Sequence, residues 1–483
     1  MKKLFALICC LFCFTAISPA KEKLPPKNEK IAPHALVIFG ATGDLTKRKL
    51  MPGLLQLFKK GELPDSFVCI GVGRRVLSDE EFRKDSGSFI AKEDRETWGA
   101  FSKKISYLHG SYEEEKSYVE LAKRIKPYAN RLFYLATPEA GFSPIIKQLG
   151  SHELLKEQNN SFSRVMIEKP FGHDLDSAQR LQQEIAHYAK ENQVFRVDHY
   201  LAKNMVDELV NFRFSNPLIE MVWNRQFIDH VSITLSEEAG VETRGSFWEQ
   251  TGLLRDIVQN HAMQLLSLIA MEKPANSSSE ELRKAKTKAI QSIRSFPLDH
   301  IDETIIRGQY GPGNQNGKPV PGYRQEMGVS PHSNIETFVA AQFFIDNERW
   351  NGVPFYLKAG KRLNKKEVEV AITFKSPVNQ TPNQLIFRIQ PNEQISFMTY
   401  PLSFKTDPIQ QEAYEKLFRE AMTGNSSHFV SFEELEASWQ LLNPVLEYWQ
   451  NPSKDFPNYR AGSDGLEIKK KNTNSSREEL VLK

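Results

Sequence analysis

The segment FRVDHYLAK, residues 195–203, gathers side chains suited to acid–base chemistry and anion binding. Asp198 and His199 supply an acid and a base, Tyr200 a phenol, and Arg196 and Lys203 permanent cations. Neighbouring side chains of an extended segment point to opposite sides, so Asp198 and His199 should serve different partners. If a helix begins near Tyr200, then Lys203 lies beside His199 at its positive end, and the three side chains form a phosphate pocket. The alternative is a surface helix start with a buried, locally hydrogen-bonded histidine.

A second candidate base is His261, in the segment GLLRDIVQNHAMQLLSLIAMEK. It falls on an apolar helical stripe, in register with Leu254 and Ile257. A single histidine on such a stripe is more often a core residue bonded to the backbone. It gains value as a base when a carboxylate holds its other ring nitrogen, and Asp198 is free for that task.

The segment VIFGATGDL places Gly40 and Gly43 between a strand and a helix. Glycines allow a tight turn and let the backbone approach a pyrophosphate at the helix N-terminus. The spacing is shorter than the usual G-x-G-x-x-G, so a plain turn is the alternative. The flanking strand and helix favour a dinucleotide site.

The second strand ends GVGRR, which indicates the type of dinucleotide. An NAD site usually has an acid at this position to hold the ribose 2′-hydroxyl. Arg74 and Arg75 stand there instead, and a guanidinium suits a 2′-phosphate. The pattern therefore predicts NADP rather than NAD, unless both arginines are only solvated loop residues.

The elements that must position these groups fall into two classes. Apolar runs starting near residues 35, 66, 131 and 163 alternate with helical patterns at 44–61, 113–129, 139–150 and 174–191. This alternation predicts a parallel, Rossmann-type sheet over 31–199. A helical pattern at 246–272 and successive strands between 337 and 400 predict an α+β domain with a mostly antiparallel sheet over 200–466. The cluster at 195–203 then lies at the junction of the domains, where ligand sites are common.

The remaining segments and the composition limit the protein class. Residues 311–332 are predicted to be a long loop, and 467–483 a disordered tail. Residues 1–20 have the layout of a secretory signal peptide, with an apolar run too short for a permanent anchor. The net charge of +3 gives no overall field for nucleic acid. We expect no nucleic-acid partner, and no membrane association after signal removal.

Several motifs in the same order resemble the glucose-6-phosphate dehydrogenase family, from about residue 35 to 465. They are GATGDL, EKPFG (168–172), RVDHYLAK, WNR (223–225), RDIVQNH (255–261), MEKP (271–274) and AGKRLNKK (359–366). The resemblance implies oxidation of glucose 6-phosphate at C1 to the 6-phosphogluconolactone with NADP, the first step of the oxidative pentose phosphate pathway. It also implies a homodimer or homotetramer.

The resemblance also implies roles for individual residues. His261 would be the general base and Asp198 its orienting partner. The substrate would be bound by His199, Tyr200, Lys203, Glu237, Asp256, Lys361, Lys366 and Lys169. NADP would be bound by Gly40, Ala41, Thr42, Gly43, Asp44, Leu45, Arg74, Tyr112 and Lys169. No metal is expected, because the cofactor accepts the electrons and no Cys/His ligand spacing is present.

The chain departs from the family pattern beside both binding regions. Ala202 and Asn204 replace the glycine and glutamate of the usual DHYLGKE, and Thr137 and Glu139 interrupt the usual ALPP. Two other functions stay open at this stage. One is an exported sugar dehydrogenase of the glucose–fructose oxidoreductase type, and the other is a non-catalytic NADPH-binding protein. The family also predicts a cytoplasmic protein, whereas residues 1–20 predict export.

Overall fold

The computed structural model describes residues 31–157, 161–377, 380–398, 400–402, 412–453 and 455–468. The signal-like segment 1–20 lies outside these ranges, as does the predicted tail apart from residues 467 and 468. Both therefore stay predictions. In the part of the chain that is described, no helix is both long and apolar enough to cross a membrane.

The first sheet is built from strands that are buried on both faces. Every residue of HALVIF in the first strand is buried, as expected when helices cover both sides of a parallel sheet. The strands lie in the spatial order β6-β5-β4-β1-β2-β3, all mutually parallel. They are β1 (His34–Phe39), β2 (Val68–Gly73), β3 (Ile105–His109), β4 (Asn130–Leu135), β5 (Ser163–Glu168) and β6 (Val194–Val197).

Helices connect these strands, with short 3₁₀ turns between some of them. Amphipathic faces of these helices supply buried residues to the cores on either side of the sheet. The helices are α1 (Met51–Lys59, preceded by a π-helical turn at Thr46–Leu50), α2 (Asp79–Ser86), α3 (Arg95–Phe101), α4 (Glu115–Ile125), α5 (Phe142–Ser151) and α6 (Leu175–Tyr188). The predicted Rossmann-type sheet is confirmed.

The second sheet is mostly antiparallel, in the order β17-β16-β15-β14-β7-β13-β12-β8, with one parallel pair between β7 and β13. Buried and half-buried residues alternate along β14 and β15, so one face packs on the core and the other is left uncovered in a single chain. Its strands are β7 (Ile228–Ser236), β8 (Ile305–Gly308), β12 (Phe338–Phe343), β13 (Phe355–Gly360), β14 (Glu367–Phe374), β15 (Gln384–Gln390), β16 (Gln394–Phe397) and β17 (Tyr400–Pro401). Three short strands lie outside this sheet, namely β9 (Tyr310–Gly311), β10 (Gly313–Gln315) and β11 (Lys318–Val320). This confirms the predicted α+β class of the second domain.

Two predictions for this half of the chain were wrong in detail. The predicted loop at 311–332 contains a small hairpin, in which β10 pairs with β11 around Asn316 and Gly317. The predicted continuous helix at 246–272 is interrupted at Gly252, whose φ of 72° ends one helix and starts the next. The buried Glu336 accepts the freed N–H of Leu254 at 3.0 Å, which stabilises the break.

The helices of the second half are α7 (Asn204–Phe214), α8 (Pro217–Val222), α9 (Gly245–Leu253), α10 (Met263–Ala270, preceded by a π-helical segment at Leu254–Ala262), α11 (Ser279–Gln291), α12 (Ala413–Thr423) and α13 (Phe432–Tyr448). Between the last two, β18 (Phe429–Val430) pairs antiparallel with β6 and becomes the edge strand of the first sheet. A final short strand, β19 (Tyr459–Arg460), pairs with β9. The C-terminal part of the chain therefore completes the N-terminal sheet, which the sequence did not predict.

Candidate active site

The centre of the site is a buried pair formed by Asp198 and His261. Asp198 directly follows β6, at the carboxyl end of the parallel sheet, and His261 lies in the π-helical segment before α10. Asp198 Oδ1 lies 2.7 Å from His261 Nδ1, and each side chain is only 2% exposed. The same oxygen accepts the backbone N–H of Tyr200 at 2.9 Å. Residues more than sixty positions apart are thus joined in one acid–base pair.

The surroundings keep the pair in the charge state that a base requires. Burial alone would raise the pKa of Asp198, but the neighbouring His261 holds it below its usual range. Burial lowers the pKa of His261, and Asp198 only partly opposes this effect. The resting state is therefore an ionised carboxylate beside a neutral imidazole, which can accept a proton.

Aromatic rings and a lysine extend the site on one side of His261. The Tyr200 ring stacks on the His261 ring with 4.0 Å between centroids, and the His199 ring meets His261 edge-on at 4.9 Å. Lys203 Nζ lies 3.9 Å from the centroid of the Tyr200 ring. His199, Tyr200 and Lys203 therefore lie together, as the sequence analysis predicted from their spacing.

Two details of that prediction were wrong. The helix begins at Asn204 rather than near Tyr200, because residues 199–203 form turns in which Leu201 N donates to Asp198 O and Lys203 N to Tyr200 O, each at 3.1 Å. The strict alternation of an extended strand ends with β6, so Asp198 and His199 are not kept apart. Ligand-type atoms of Asp198, His199 and His261 lie within 4.8 Å of one another.

The cationic side of the site is partly withdrawn from water. Burial lowers the pKa of Lys203 to about 8, with Asp198 and Glu393 opposing and Lys366 adding to the effect. Burial lowers the pKa of His199 to about 3, and the charges of His261 and Lys169 act in the same direction. A phosphate beside Lys203 and Tyr200 would gain poorly solvated hydrogen-bond donors.

The other residues assigned to the substrate are held in ion pairs around the site. Lys169 Nζ donates to Asp256 Oδ1 at 2.8 Å and to the Asp256 carbonyl at 2.9 Å. Lys361 Nζ donates to Glu237 Oε2 at 2.6 Å. Lys366 is exposed, but near enough for its charge to affect Lys203. The structure thus brings both pairs to the surroundings of His261, with Asp256 and Lys361 close enough to affect each other's charge.

The turn after β1 has the shape required for a dinucleotide. Gly40 has a φ of 81°, and a Cβ there would lie 2.2 Å from the Ala136 carbonyl oxygen. Gly43 N donates to Gly40 O at 2.9 Å, which closes the turn around Ala41 and Thr42, and Asp44 and Leu45 begin the helix that follows. Arg74 lies exposed at the end of β2, with its guanidinium carbon 5.9 Å from the Tyr112 ring centroid. These residues fit a dinucleotide with a 2′-phosphate beside Arg74.

The departures from the family pattern have structural explanations. Ala202 is fully buried, and Asn204 is the first residue of α7. Glu139 accepts the backbone N–H of Gly172 at 2.8 Å, and so ties the turn after β4 to the EKPFG segment. Thr137 is buried next to Gly141.

Two residues beside the site, Glu168 and Tyr414, were not predicted from the sequence. Glu168 Oε1 accepts the hydroxyls of Tyr134 at 2.5 Å and Tyr414 at 3.2 Å. Burial raises the pKa of Glu168 to about 7, although both tyrosine hydrogen bonds oppose the rise. Glu168 could have been noted from its place in EKPFG, but no pattern links it to Tyr414, which is far away in the chain.

Family models of known proteins match the two halves of the chain separately. Residues 37–208 match the family model "Glucose-6-phosphate dehydrogenase, NAD binding domain", and 210–479 match "Glucose-6-phosphate dehydrogenase, C-terminal domain". The chain is 44% identical to glucose-6-phosphate 1-dehydrogenase of Chlamydia pneumoniae, over 90% of this chain and 93% of that protein. It is 38% identical to the Bacillus subtilis protein of the same name, over 89% and 94%. A solved glucose-6-phosphate dehydrogenase in complex with its substrate glucose 6-phosphate matches with a TM-score of 0.83 and 35% identity, over 90% of this chain and 96% of that one.

Proposed function

Because this chain belongs to the glucose-6-phosphate dehydrogenase family, we propose that it oxidises C1 of glucose 6-phosphate with NADP⁺, and that its buried acid–base pair removes the proton of the C1 hydroxyl. The product is the 6-phosphogluconolactone, and the reaction is the first step of the oxidative pentose phosphate pathway. One observation carries the assignment of the base. It is the 2.7 Å contact between Asp198 Oδ1 and His261 Nδ1, beside a cationic pocket.

The proton transfer follows from the geometry of this pair. Because the carboxylate can only accept, the ring proton of His261 lies on Nδ1 and the lone pair on Nε2. Nε2 of His261 takes the proton of the C1 hydroxyl, and the hydroxyl oxygen becomes the carbonyl oxygen of the lactone. Asp198 stabilises the imidazolium that forms on His261. When bound, NADP⁺ accepts the hydride that leaves C1. The chain's own part is to position the substrate and remove one proton.

The remaining residues hold the two substrates. His199, Tyr200 and Lys203 bind the phosphate group, with Lys366 adding positive charge at its rim. Glu237 and Asp256 accept hydrogen bonds from sugar hydroxyls, while Lys361 and Lys169 balance their charges. The family resemblance implies that Lys169 would also lie near the nicotinamide. The turn at Gly40–Leu45 binds the pyrophosphate, and Arg74 and Tyr112 bind the 2′-phosphate end.

The decisive assay compares glucose 6-phosphate with free glucose at equal concentration, and follows the absorbance of reduced nicotinamide with NADP⁺. We expect turnover with the phosphate ester and little with glucose. Preference for free glucose would support the sugar dehydrogenase alternative instead. Tight NADPH binding without turnover of either sugar would support a non-catalytic binding protein.

The uncovered face of the second sheet supports assembly as a homodimer or homotetramer. Half-buried side chains alternate along β13, β14 and β15 on the face that the single chain leaves open. This face carries Tyr356, Ala371 and Ile386 beside charged residues such as Glu369 and Arg388, so a second copy would cover apolar and polar groups together. Sedimentation equilibrium measures the mass directly, and a monomer at micromolar concentration would contradict the proposal.

The cellular location is a separate proposal. The family predicts the cytoplasm, where NADP is made, whereas residues 1–20 favour export. Sequencing the N-terminus of the mature protein distinguishes the two. A mature chain that starts after Ala20 would support export, and one that starts at Met1 or Lys2 would support the cytoplasm.

A further inference from the structure

A small cavity lies beside Asp198 of the acid–base pair. Its polar walls come from Asp198, from Lys169, from Gln259 and Gln264 near His261, and from Glu434 and Ser438 of α13. The charge of Lys169 acts on His261 in the same direction as burial. The centre of a water molecule has about 10 Å³ available inside it. A cavity needs roughly 10–15 Å³ by this measure to hold one water, and the water needs two to four polar partners.

Apart from Glu434 Oε2, which is ion-paired with Lys286, two polar atoms on these walls lack hydrogen-bond partners among the described residues. They are Asp198 Oδ2 and Gln259 Nε2, in side chains that are almost completely buried. The first is an acceptor that carries negative charge, and the second is a donor. Buried polar groups without partners are rare in folded proteins, because each one costs the full desolvation of that group. An acceptor and a donor that line the same cavity indicate one shared partner.

Glu434 supplies a second acceptor on the cavity wall. Its carboxylate pairs with Lys286 Nζ at 2.8 Å, and both side chains are fully buried. Lys286 also donates to Gln264 Oε1 at 3.0 Å, which fixes that amide. A water in the cavity can accept from Gln259 Nε2 and donate to Asp198 Oδ2 and to the Glu434 carboxylate. The water then makes three hydrogen bonds, two as a donor and one as an acceptor.

We propose that one ordered water occupies this cavity, and that Gln259 is a positioning residue that acts through this water on Asp198. The inference rests on the proposed role of Asp198 and His261. The proposed water would contact Asp198 at Oδ2, whereas His261 contacts Oδ1. This oxygen lies where α13 meets the segment that carries His261. Gln259 is not among the residues that the family resemblance assigns to substrate or cofactor.

The water determines how strongly Asp198 attracts the proton of His261. A donor on Oδ2 disperses part of the carboxylate charge, so the imidazolium is stabilised less and His261 stays neutral to lower pH. Loss of that donor should raise the pKa of His261. The acid limb of the pH profile of kcat/KM should then move to higher pH, because this limb reports the free enzyme's base.

The test combines a variant with a structure. Gln259→Leu removes the amide that holds the water, with little change in volume, so that the water no longer donates to Asp198 Oδ2 in a fixed position. Gln309→Leu removes a buried amide that donates to Ser333 O and Ile335 O, far from the acid–base pair in the chain. We expect Gln259→Leu to shift the acid limb upward by about one pH unit, from the strength of a hydrogen bond to a charged group. The KM values for both substrates at the pH of maximal activity should stay unchanged. Gln309→Leu should not shift the acid limb of the kcat/KM profile.

A crystal structure of the unmutated enzyme tests the water without requiring activity. Density within hydrogen-bond distance of both Asp198 Oδ2 and Gln259 Nε2, coordinated as a water, would support the proposal. A dry cavity, a direct bond between the two side chains, or a coordinated cation would overturn it. So would an unmoved acid limb in a folded Gln259→Leu variant. If that variant does not fold, the density alone decides. Clear water density in a protein that does not oxidise glucose 6-phosphate would count against the proposed function and not against the water.

Discussion

Replacing His428 should change the pH dependence of stability in a way that can be calculated. His428 Nδ1 lies 2.7 Å from Glu420 Oε1, while Nε2 contacts Asp207 and Lys416 Nζ. Burial alone would lower the pKa of His428, but Glu420 and Asp207 outweigh it and raise the pKa from 6.5 to about 9. At about 1.36 kcal/mol for each pKa unit, this difference corresponds to about 3 kcal/mol of stability.

The sign follows from which state binds the proton more tightly. The folded protein holds the proton of His428 up to about pH 9, whereas the unfolded chain loses it near 6.5. The stabilisation is therefore complete below pH 6.5, declines above it, and is lost as the pH rises through about 9. When His428 loses its proton, Asp207 and Glu420 lose the positive charge of its imidazolium. Lys416, which pairs with Asp207, stays charged.

The assay is thermal unfolding of the wild type and His428→Gln at several pH values from about 6 to about 10. The wild type should melt several degrees higher at the acid end, and this advantage should shrink steadily toward the alkaline end. His187→Gln, at an exposed helical position, is the matched control and should show no such trend. A melting difference that is the same at every pH would refute the reasoning, because it would mean that the His428 proton has the same affinity in both states.

The other predictions concern turnover and binding. His261→Asn should lower kcat by about 10²–10⁴-fold with little change in the KM for NADP⁺, measured by steady-state kinetics. Lys203→Met should raise the KM for glucose 6-phosphate by roughly 10- to 100-fold and change kcat less, since it removes a charged hydrogen bond to the phosphate. Arg74→Ala should raise the KM for NADP⁺ about 10-fold and leave that for NAD⁺ unchanged, so an equal effect on both cofactors would contradict 2′-phosphate binding.

Much of the fold was predictable because strong local patterns produced it. The continuous apolar runs of β1, β4 and β5 and the intervening amphipathic helices identified the parallel sheet. The glycines at 40 and 43 located the turn after β1, and Gly40 does adopt a positive φ. The gathering of His199, Tyr200 and Lys203 was predictable because they are close in sequence.

Most of the structural features that could not be predicted from the sequence depend on contacts between residues that are far apart in the chain. The helix after β6 begins later than predicted because residues 199–203 form turns, with the Tyr200 N–H accepted by the Asp198 side chain. The break at Gly252 depends on Glu336, far along the chain, to accept the freed N–H group of Leu254. The contact of Tyr414 with Glu168, and the cavity between Gln259 and Glu434, arise from the return of the C-terminal helices.

The pairing of β18 with β6 has a consequence for how the protein is made. Phe429 lies opposite Val197, so the strand that leads into Asp198 stays an open edge until the ribosome has synthesised residue 430. An open strand edge can pair with other chains, which makes the nascent N-terminal half prone to association. A fragment that stops near residue 208 should therefore bind nucleotide poorly or aggregate, even though it contains the whole dinucleotide turn. Biosynthesis thus completes the cofactor half and the sugar half of the enzyme at almost the same time.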